Sequence, residues 1–332
     1  MKRIGAFLKK FTQNSHSGLA ASVLLLTVVM TIAYPYFLTP FNIEITAMGF
    51  IQEALMALGM TLVIISGGID LSVSAILPFT AIIVGLLLKT NLGVSLSIAL
   101  ALVVAIMFGL INALMINKLR VFPFIATLAT STIIKGISLV ITEGATISGF
   151  PEVFYVIGQG KLLGVPIPVL IFVFLAIVFA WLLRNHSYFQ QIYFVGGNVK
   201  AAQLSGINVS RLRYVIYGIS AFLAGLAGII TASQYVSANT GFGLNSELRV
   251  ITSVIIGGAS LSGGKGSIGG TIWGVMFLAI IANAFVQSGA PTYWQDVVYG
   301  GMLLAAVLLE EYIRASGRKA GKKNWREFLT SG

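Results

Sequence analysis

Long apolar runs separated by short polar segments dominate this sequence of 332 residues. A helix needs about 20 apolar residues to cross the roughly 30 Å of hydrocarbon in a bilayer, and a helix satisfies its own backbone hydrogen bonds there. The runs therefore predict an all-α integral membrane protein with about ten transmembrane helices. The predicted spans are 18–38, 45–66, 73–92, 94–116, 121–142, 165–183, 212–234, 248–262, 267–288 and 294–313, of which the eighth is short and leaves open a broken or re-entrant helix.

Composition excludes a soluble globular protein. Hydrophobic residues make up 57% of the chain and charged residues 9%, and the mean hydropathy is +0.94, whereas soluble domains carry roughly a quarter charged residues. The chain has no cysteine, which excludes disulfides, thiol catalysis and thiolate metal sites. His16 and His186 lie in separate polar segments, so we expect no metal centre and no other cofactor.

The distribution of basic residues predicts the orientation. If the N-terminus is cytoplasmic, ten spans place 17 of the 21 Lys and Arg residues on the cytoplasmic side, as the positive-inside rule expects. Both termini are then cytoplasmic, and the net charge of +11 needs no nucleic-acid partner. The cytoplasmic set is Lys2, Arg3, Lys9, Lys10, Lys118, Arg120, Arg184, Lys200, Arg211, Arg213, Lys265, Arg314, Arg318, Lys319, Lys322, Lys323 and Arg326.

The polar segments leave no room for a soluble domain. The longest are about 143–164 and 184–211, so we expect one transmembrane domain over 1–332 with a basic cytoplasmic tail at about 314–332 that lies against anionic lipid headgroups. The outer segment 143–164 is rich in Gly and Pro, which predicts broken regular structure. It is open whether this loop receives a partner outside the cell or is a linker.

The inner segment 196–207 carries the signals of a short helix. Asn198 is a candidate N-cap, Ala201 and Ala202 favour helix, and Gly206 suits a left-handed C-terminal position. Such a helix with a small-residue face fits a groove on another protein. An ordinary interhelical loop would show the same spacing.

Two glycine motifs echo each other at an offset of 190. Gly67-Gly68-Ile69-Asp70-Leu71-Ser72 corresponds to Gly257-Gly258-Ala259-Ser260-Leu261-Ser262, and each follows an apolar run. Paired Gly-Gly interruptions are typical of discontinuous helices around a transport pathway, and tight interhelical turns are the alternative. The predicted break residues are Gly67, Gly68, Asp70, Ser72, Gly257, Gly258, Ser262, Gly263 and Gly264.

The segment 259–269 resembles two nucleotide-binding motifs but matches neither. Gly264-Lys265-Gly266-Ser267-Ile268-Gly269 has the spacing of a dinucleotide fingerprint, yet its flanks are membrane spans and not a βαβ unit. The overlapping P-loop-like stretch has Ala259 at the first glycine and Gly266 where a magnesium-binding hydroxyl is required. The chain is therefore not expected to bind ATP, and any ATP-derived energy has to come from a separate subunit.

Polar side chains inside predicted spans are costly and mark candidate functional positions. Glu53 lies in the second span, and Thr127, Ser131 and Lys135 share one helical face of the fifth. A Glu53–Lys135 pair, a polar lining for a hydroxylated solute, and a lysine that extends towards the membrane surface are all compatible with the sequence. Asn112 and Asn283 are weaker candidates for the translocation pathway.

Four segments resemble the permease subunits of ribose, xylose and galactose-type ABC importers. They are Gly59 to Val73, Phe124 to Thr130, Gly196 to Ile207 and Ile256 to Gly264. The resemblance implies a multi-pass protein of the bacterial inner membrane, not an enzyme, that imports a monosaccharide such as ribose. It also implies three kinds of partner: nucleotide-binding ATPase subunits, a periplasmic or lipid-anchored solute-binding protein, and a second permease copy.

The same resemblance assigns the short helix to the coupling element that contacts the ATPase. The coupling residues it implies are Asn198, Lys200, Ala201, Ala202, Gly206 and Ile207, and the chain departs from the family pattern at Lys200, where an acidic residue is usual. The alternatives for the solute are a sugar-derived signal, a nucleoside or a branched-chain amino acid. An ion-coupled secondary transporter and a membrane scaffold are the alternatives for the class of protein.

Overall fold

The computed structural model describes residues 17–90, 92–291 and 293–330. The N-terminal residues Lys2, Arg3, Lys9, Lys10 and His16 lie outside this range. Thirteen helices fall within it. They are α1 (Ser17–Ala33), α2 (Pro40–Ile65), α3 (Val73–Leu88), α4 (Val94–Asn117), α5 (Pro123–Thr142), α6 (Glu152–Gln159), α7 (Ile167–Asn185), α8 (Ser187–Gly197), α9 (Val199–Leu204), α10 (Val209–Tyr235), α11 (Ser246–Ile256), α12 (Ile268–Gln287) and α13 (Tyr293–Thr330).

Six of the described helices are long and apolar enough to cross a membrane, namely α2, α4, α5, α7, α10 and α12. Helices α1 and α3 are apolar but shorter. Every predicted apolar run overlaps a helix, and α13 continues past position 313, where its predicted span ends. The chain is thus an all-α integral membrane protein.

Helices α2 and α10 form the centre of the helix bundle. About four fifths of the most apolar stretch of each is buried, 78% in both, and Leu55, Leu58 and Leu62 of α2 are fully inaccessible. Helix α10 packs mainly against α4, α2 and α3. Small residues permit this close packing, because a β-carbon on Gly228 of α10 would lie 2.1 Å from the carbonyl oxygen of Leu77.

The outer segment 143–164 consists of short, interrupted elements, as its Gly and Pro content predicts. It contains α6 and two short β-ribbons. Strand β1 (Ile147–Ser148) pairs antiparallel with β4 (Ser237–Ala238), and β2 (Lys161–Leu162) pairs with β3 (Val165–Pro166). The N–H of Gly158 donates to the Ser233 hydroxyl at 2.7 Å, which ties α6 to the end of α10. The glycines and prolines here end short elements.

Candidate functional site

The short helix predicted in the inner segment is present as α9. The side chain of Asn198 accepts a hydrogen bond of 3.0 Å from the Ala201 N–H, and Asn198 has extended backbone, as an N-cap requires. Gly206 adopts φ +82°, a left-handed conformation that favours glycine. The local prediction of cap, helix and terminating glycine is confirmed.

The orientation of α9 could not be read from the spacing. Ala202 is 3% exposed and packs into an apolar cluster with Ile192, Val195 and Val209. Lys200 and Ala201 are exposed, and Leu204 is 90% exposed. The exposed residues of α9 are therefore Lys200, Ala201, Gln203 and Leu204, whereas Ala202 anchors the helix to its own chain. Leu204 is not among the residues predicted to contact the ATPase. Its apolar side chain in a polar segment, three positions after Ala201, was the signal that could have identified it.

Both glycine motifs are helix C-caps of the same type. At the end of α2, Gly67 has φ +82°, its N–H donates to the Ile64 carbonyl, and the next N–H donates to Val63. At the end of α11, Gly258 has φ +92° with matching bonds to the Ile255 and Val254 carbonyls. This pair of bonds defines the Schellman motif.

The equivalent residues are thus Gly67 and Gly258, an offset of 191. The predicted alignment at 190 is wrong by one position, because a Gly-Gly pair does not reveal which glycine takes the left-handed conformation. Both motifs lie in connections between helices. They therefore correspond to tight interhelical turns, the alternative to discontinuous helices. The second connection is also tied to α13, because the Ser260 hydroxyl donates to Glu310 and lies 2.7 Å from the hydroxyl of Ser262.

The connection that follows the second cap packs against the first cap, beside the end of α8. Gly264 donates its N–H to the Ile65 carbonyl at 2.8 Å. A β-carbon on Gly263 would lie 2.9 Å from the Cα atoms of both Gly67 and Gly196. We call these four glycines, Gly67, Gly196, Gly263 and Gly264, the glycine junction. It brings both motifs against the segment that leads directly into α9.

Asp70 is the centre of a buried polar network that follows the first cap. Its carboxylate accepts hydrogen bonds from the Ser72 hydroxyl at 2.5 Å and the Ser72 N–H at 3.1 Å, and from the Ser220 hydroxyl at 2.8 Å. Burial raises the pKa of the Asp70 carboxyl, and the hydrogen bonds from Ser72 and Ser220 oppose that rise. The network joins the α2–α3 connection to α10.

Asn112 extends this network to α5. Its side-chain amide donates to Ser72 at 2.8 Å and accepts from Thr130 at 2.6 Å. Thr127, one turn earlier on α5, directs its hydroxyl towards the carbonyls of Pro123 and Ile69. Ser220 and Thr130 were missed because a lone hydroxyl in an apolar run usually bonds to its own backbone.

The possible Glu53–Lys135 pair is absent from the structure, and each residue pairs with α11 instead. Arg249 Nη2 lies 3.0 Å from Glu53 Oε1, and Lys135 Nζ lies 3.9 Å from Glu247. Arg249 also approaches Asp296 of α13 at 3.9 Å. The charge of Arg249 at the edge of an apolar run was the available signal for this partner.

The remaining pathway candidates are dispersed. Ser131 is buried on α5, and Lys135 is half-exposed. Asn283 of α12 forms a reciprocal amide pair with Asn42 of α2, at 2.9 and 3.0 Å. The candidates thus fall into three places. Glu53 and Lys135 contact α11, Asn112 and Thr127 lie at the Asp70 network, and Asn283 pairs with Asn42. Within the described residues no cluster of three or more His, Cys, Asp or Glu could hold a metal.

The geometry defines a multi-pass helical membrane protein with buried polar networks and an exposed, capped helix between two of its spans. Residues 42–307 match the family described as the permease component of branched-chain amino acid transport systems. A match over most of the chain shows membership: the chain belongs to this family. It is a transport subunit of the multi-pass, inner-membrane type, and not an enzyme.

Individual relatives of the chain include permeases of sugar importers. They confirm the resemblance to sugar ABC importer permeases that the sequence shows. The ribose import permease RbsC of Bacillus subtilis strain 168 is 39% identical over 313 residues, 93% of each chain. The L-arabinose permease AraH of Azospirillum brasilense is 30% identical over 93% of this chain and 91% of its own length. The autoinducer 2 permease LsrC of Escherichia coli K12 strain DH10B is 30% identical over 97% and 94%. No solved structure matches the chain.

Proposed function

We propose that the chain is the permease subunit of an ATP-driven, binding-protein-dependent importer of a monosaccharide, with a ribose-like pentose as solute. The identity to a ribose import permease over 93% of both chains supports the choice of solute. The chain itself performs no chemistry. It provides the membrane passage, while partner subunits hydrolyse ATP and deliver the solute.

The structure of α9 is the observation that supports ATP hydrolysis by partner subunits as the energy source. This six-residue helix is fixed by the Asn198 cap and by burial of Ala202, and it presents Lys200, Ala201 and Leu204 outward. A rigid, exposed helix with an apolar tip suits a groove on an ATPase subunit. Asn198, Gly206 and Ile207 would hold the helix in place for that contact.

The proposed arrangement has ten spans in one domain over 1–332, with both termini and α9 on the cytoplasmic side. The balance of basic residues supports this orientation. Two ATPase subunits would bind at the cytoplasmic face, a solute-binding protein at the outer face, and a second permease copy alongside. The proposed pathway residues are Glu53, Thr127, Ser131, Lys135, Asn112 and Asn283, and the glycine motifs at 67–72 and 257–264 would connect α9 to the spans around them.

Reconstitution tests this proposal directly. The purified chain alone should hydrolyse no ATP. In proteoliposomes with its nucleotide-binding subunits and a ribose-loaded binding protein, ATP should drive uptake of ribose, and the loaded binding protein should raise the rate of hydrolysis. Uptake that follows an ion gradient and ignores ATP would overturn the proposal in favour of a secondary transporter.

A sugar-derived signalling molecule is the second candidate solute. The autoinducer 2 permease matches 97% of the chain, although at lower identity. The same proteoliposomes distinguish the candidates when uptake of ribose, arabinose, autoinducer 2, a nucleoside and a branched-chain amino acid is compared. Preference for any solute other than a pentose would replace the proposed solute and leave the ATP-driven assembly intact.

A further inference from the structure

A buried polar cluster joins α2, α11 and α13. Glu53 is 5% exposed, and its Oε1 accepts from Arg249 at 3.0 Å and from the Gln52 amide at 3.3 Å. Its second oxygen, Oε2, is buried without a hydrogen-bond partner among the described residues. The hydroxyl of Tyr299, on a side chain that is 3% exposed, is likewise unpartnered within the described chain. Tyr299 lies behind the space beside Glu53, because it packs in one cluster with Leu278 and Phe50, which border that space.

Packing alone does not account for these groups. A buried ion pair is often no more stabilising than apolar residues of the same volume, because both charges lose their hydration. A carboxylate with one bonded oxygen and one unpartnered oxygen is still less favourable. Buried polar groups left unsatisfied in a membrane protein therefore point to a ligand that completes them.

The surroundings of Glu53 identify the chemistry of that ligand. A closed crevice beside it, which has no room for a water molecule in this structure, is lined by Phe50, Glu53, Arg249, Ser253, Val275 and Leu278. It offers a carboxylate as acceptor, a guanidinium as donor, a hydroxyl and an aromatic ring. Neutral polyhydroxylated molecules match this set, because their hydroxyls donate to the carboxylate and accept from the guanidinium while their C–H faces pack against the ring. The Glu53 charge disfavours an anionic ligand.

We infer that Glu53, Arg249 and Tyr299 bind hydroxyl groups of the solute during its passage and so contribute to the selectivity of the permease. The inference rests on the proposed function, which supplies a hydroxylated solute. The crevice is closed in this structure, so the solute would have to enter by a displacement of α11. Helix α11 has only 11 residues and carries Arg249, so its displacement would widen the crevice beside Glu53.

The test compares the parent complex with Glu53→Gln, Arg249→Lys and Tyr299→Phe in proteoliposomes that contain the ATPase subunits and one preparation of binding protein. For each complex, the import rate of D-ribose is divided by that of each monodeoxy-ribose. The binding protein contributes equally to every complex, so a change in this ratio belongs to the permease. One hydrogen bond to a charged group corresponds to about tenfold in the ratio, and Tyr299→Phe should give a smaller change.

Glu44→Gln is the matched control. Glu44 is also on α2, but its partner Lys161 is half-exposed, so this variant should keep the parent ratios. A ratio that changes for at least one analogue in the site variants supports the inference. Tyr299→Phe removes a single unpartnered oxygen, so it remains decisive if a charge variant fails to assemble.

Two outcomes separate the inference from the proposed function. If the parent complex imports ribose and all three variants keep its ratios within about twofold, Glu53, Arg249 and Tyr299 only support the fold, and the inference alone is overturned. If the parent imports no hydroxylated solute, the proposed function fails and the inference fails with it.

Discussion

The N–H of Gly264 donates a 2.8 Å hydrogen bond to the carbonyl of Ile65, which joins the connection after α11 to the last residue of α2. Gly196 fits against this bond so closely that its own β-carbon would lie 1.9 Å from the Ile65 oxygen and 2.4 Å from the Gly264 nitrogen. Three segments far apart in sequence therefore share one point, and the third leads into α9.

This contact gives the proposed coupling helix a physical route to the spans. Backbone groups that touch without side chains between them transmit a displacement with little loss, because close-packed interiors are not compressible. A movement of α8 and α9 would therefore reach the end of α2 and the connection that follows α11. Helix α11 carries Arg249, the partner of Glu53.

Replacement of Gly196 by Ala should disrupt the glycine junction. The added β-carbon meets two backbone groups at distances that no relaxed structure shows, so α8 has to shift. We expect a lower melting temperature of the purified protein and a loss of most import. Gly197→Ala is the control, because nothing in the described chain lies within 4 Å of its β-carbon. Equal behaviour of the two variants would contradict the proposed importance of the junction.

Three variants on two faces of α9 test the proposed contact with the ATPase. Leu204→Glu and Ala201→Arg alter the exposed face, so import and stimulated ATP hydrolysis should fall while the melting temperature stays close to the parent value. Ala202→Arg puts a charge into the apolar cluster and should instead lower the melting temperature and the amount of protein in the membrane.

Assembly with the ATPase subunits is the decisive measurement for the same variants. Co-purification should be weakened by the exposed-face variants when the permease is folded. If Leu204→Glu and Ala201→Arg both import at the parent rate, the segment 196–207 is only a loop between spans.

The features that sequence could predict here are local ones. The Asn198 cap and the left-handed Gly206 depend on residues within one helical turn, so their spacing was sufficient. The inward position of Ala202 depends on the packing of α8 and α10 against α9, which no local pattern contains. Likewise, the apolar runs located the helices, but the offset between Gly67 and Gly258 depends on which glycine of each pair turns left-handed.

Electrostatic partners were the least predictable part of the site. The sequence marks Glu53 as a costly charge in a span, but its partner Arg249 is distant in sequence and lies on a short helix. The sequence indicates that Glu53 needs an oppositely charged partner, but it does not indicate which residue that partner is. Lys135 shows the same limit, because its partner Glu247 is on that same helix.

Orientation is tested by reporter fusions. An enzyme that is active only outside the cytoplasm should give signal when fused after Gly158, and no signal when fused after Gly197 or at the C-terminus, because the proposed ten spans put most basic residues on one side, which the positive-inside rule makes cytoplasmic. Signal from the fusion after Gly197 would place α9 on the outer face. That result would remove both the ten-span arrangement and the ATPase contact.

The Glu53–Arg249 pair predicts an asymmetric double-mutant cycle. Arg249→Met leaves the buried Glu53 carboxylate with only the Gln52 amide as donor, and the loss of one member of a buried pair costs about 3–5 kcal/mol. Glu53→Leu should cost less, because the Arg249 side chain is 22% exposed and retains Asp296 at 3.9 Å. The double variant should recover most of the melting temperature lost by Arg249→Met, since no unpaired buried charge remains.

Glu44→Gln, which breaks an exposed pair, should shift the melting temperature little. Additive losses in the double variant would show that the two side chains stabilise the bundle independently and not as a pair.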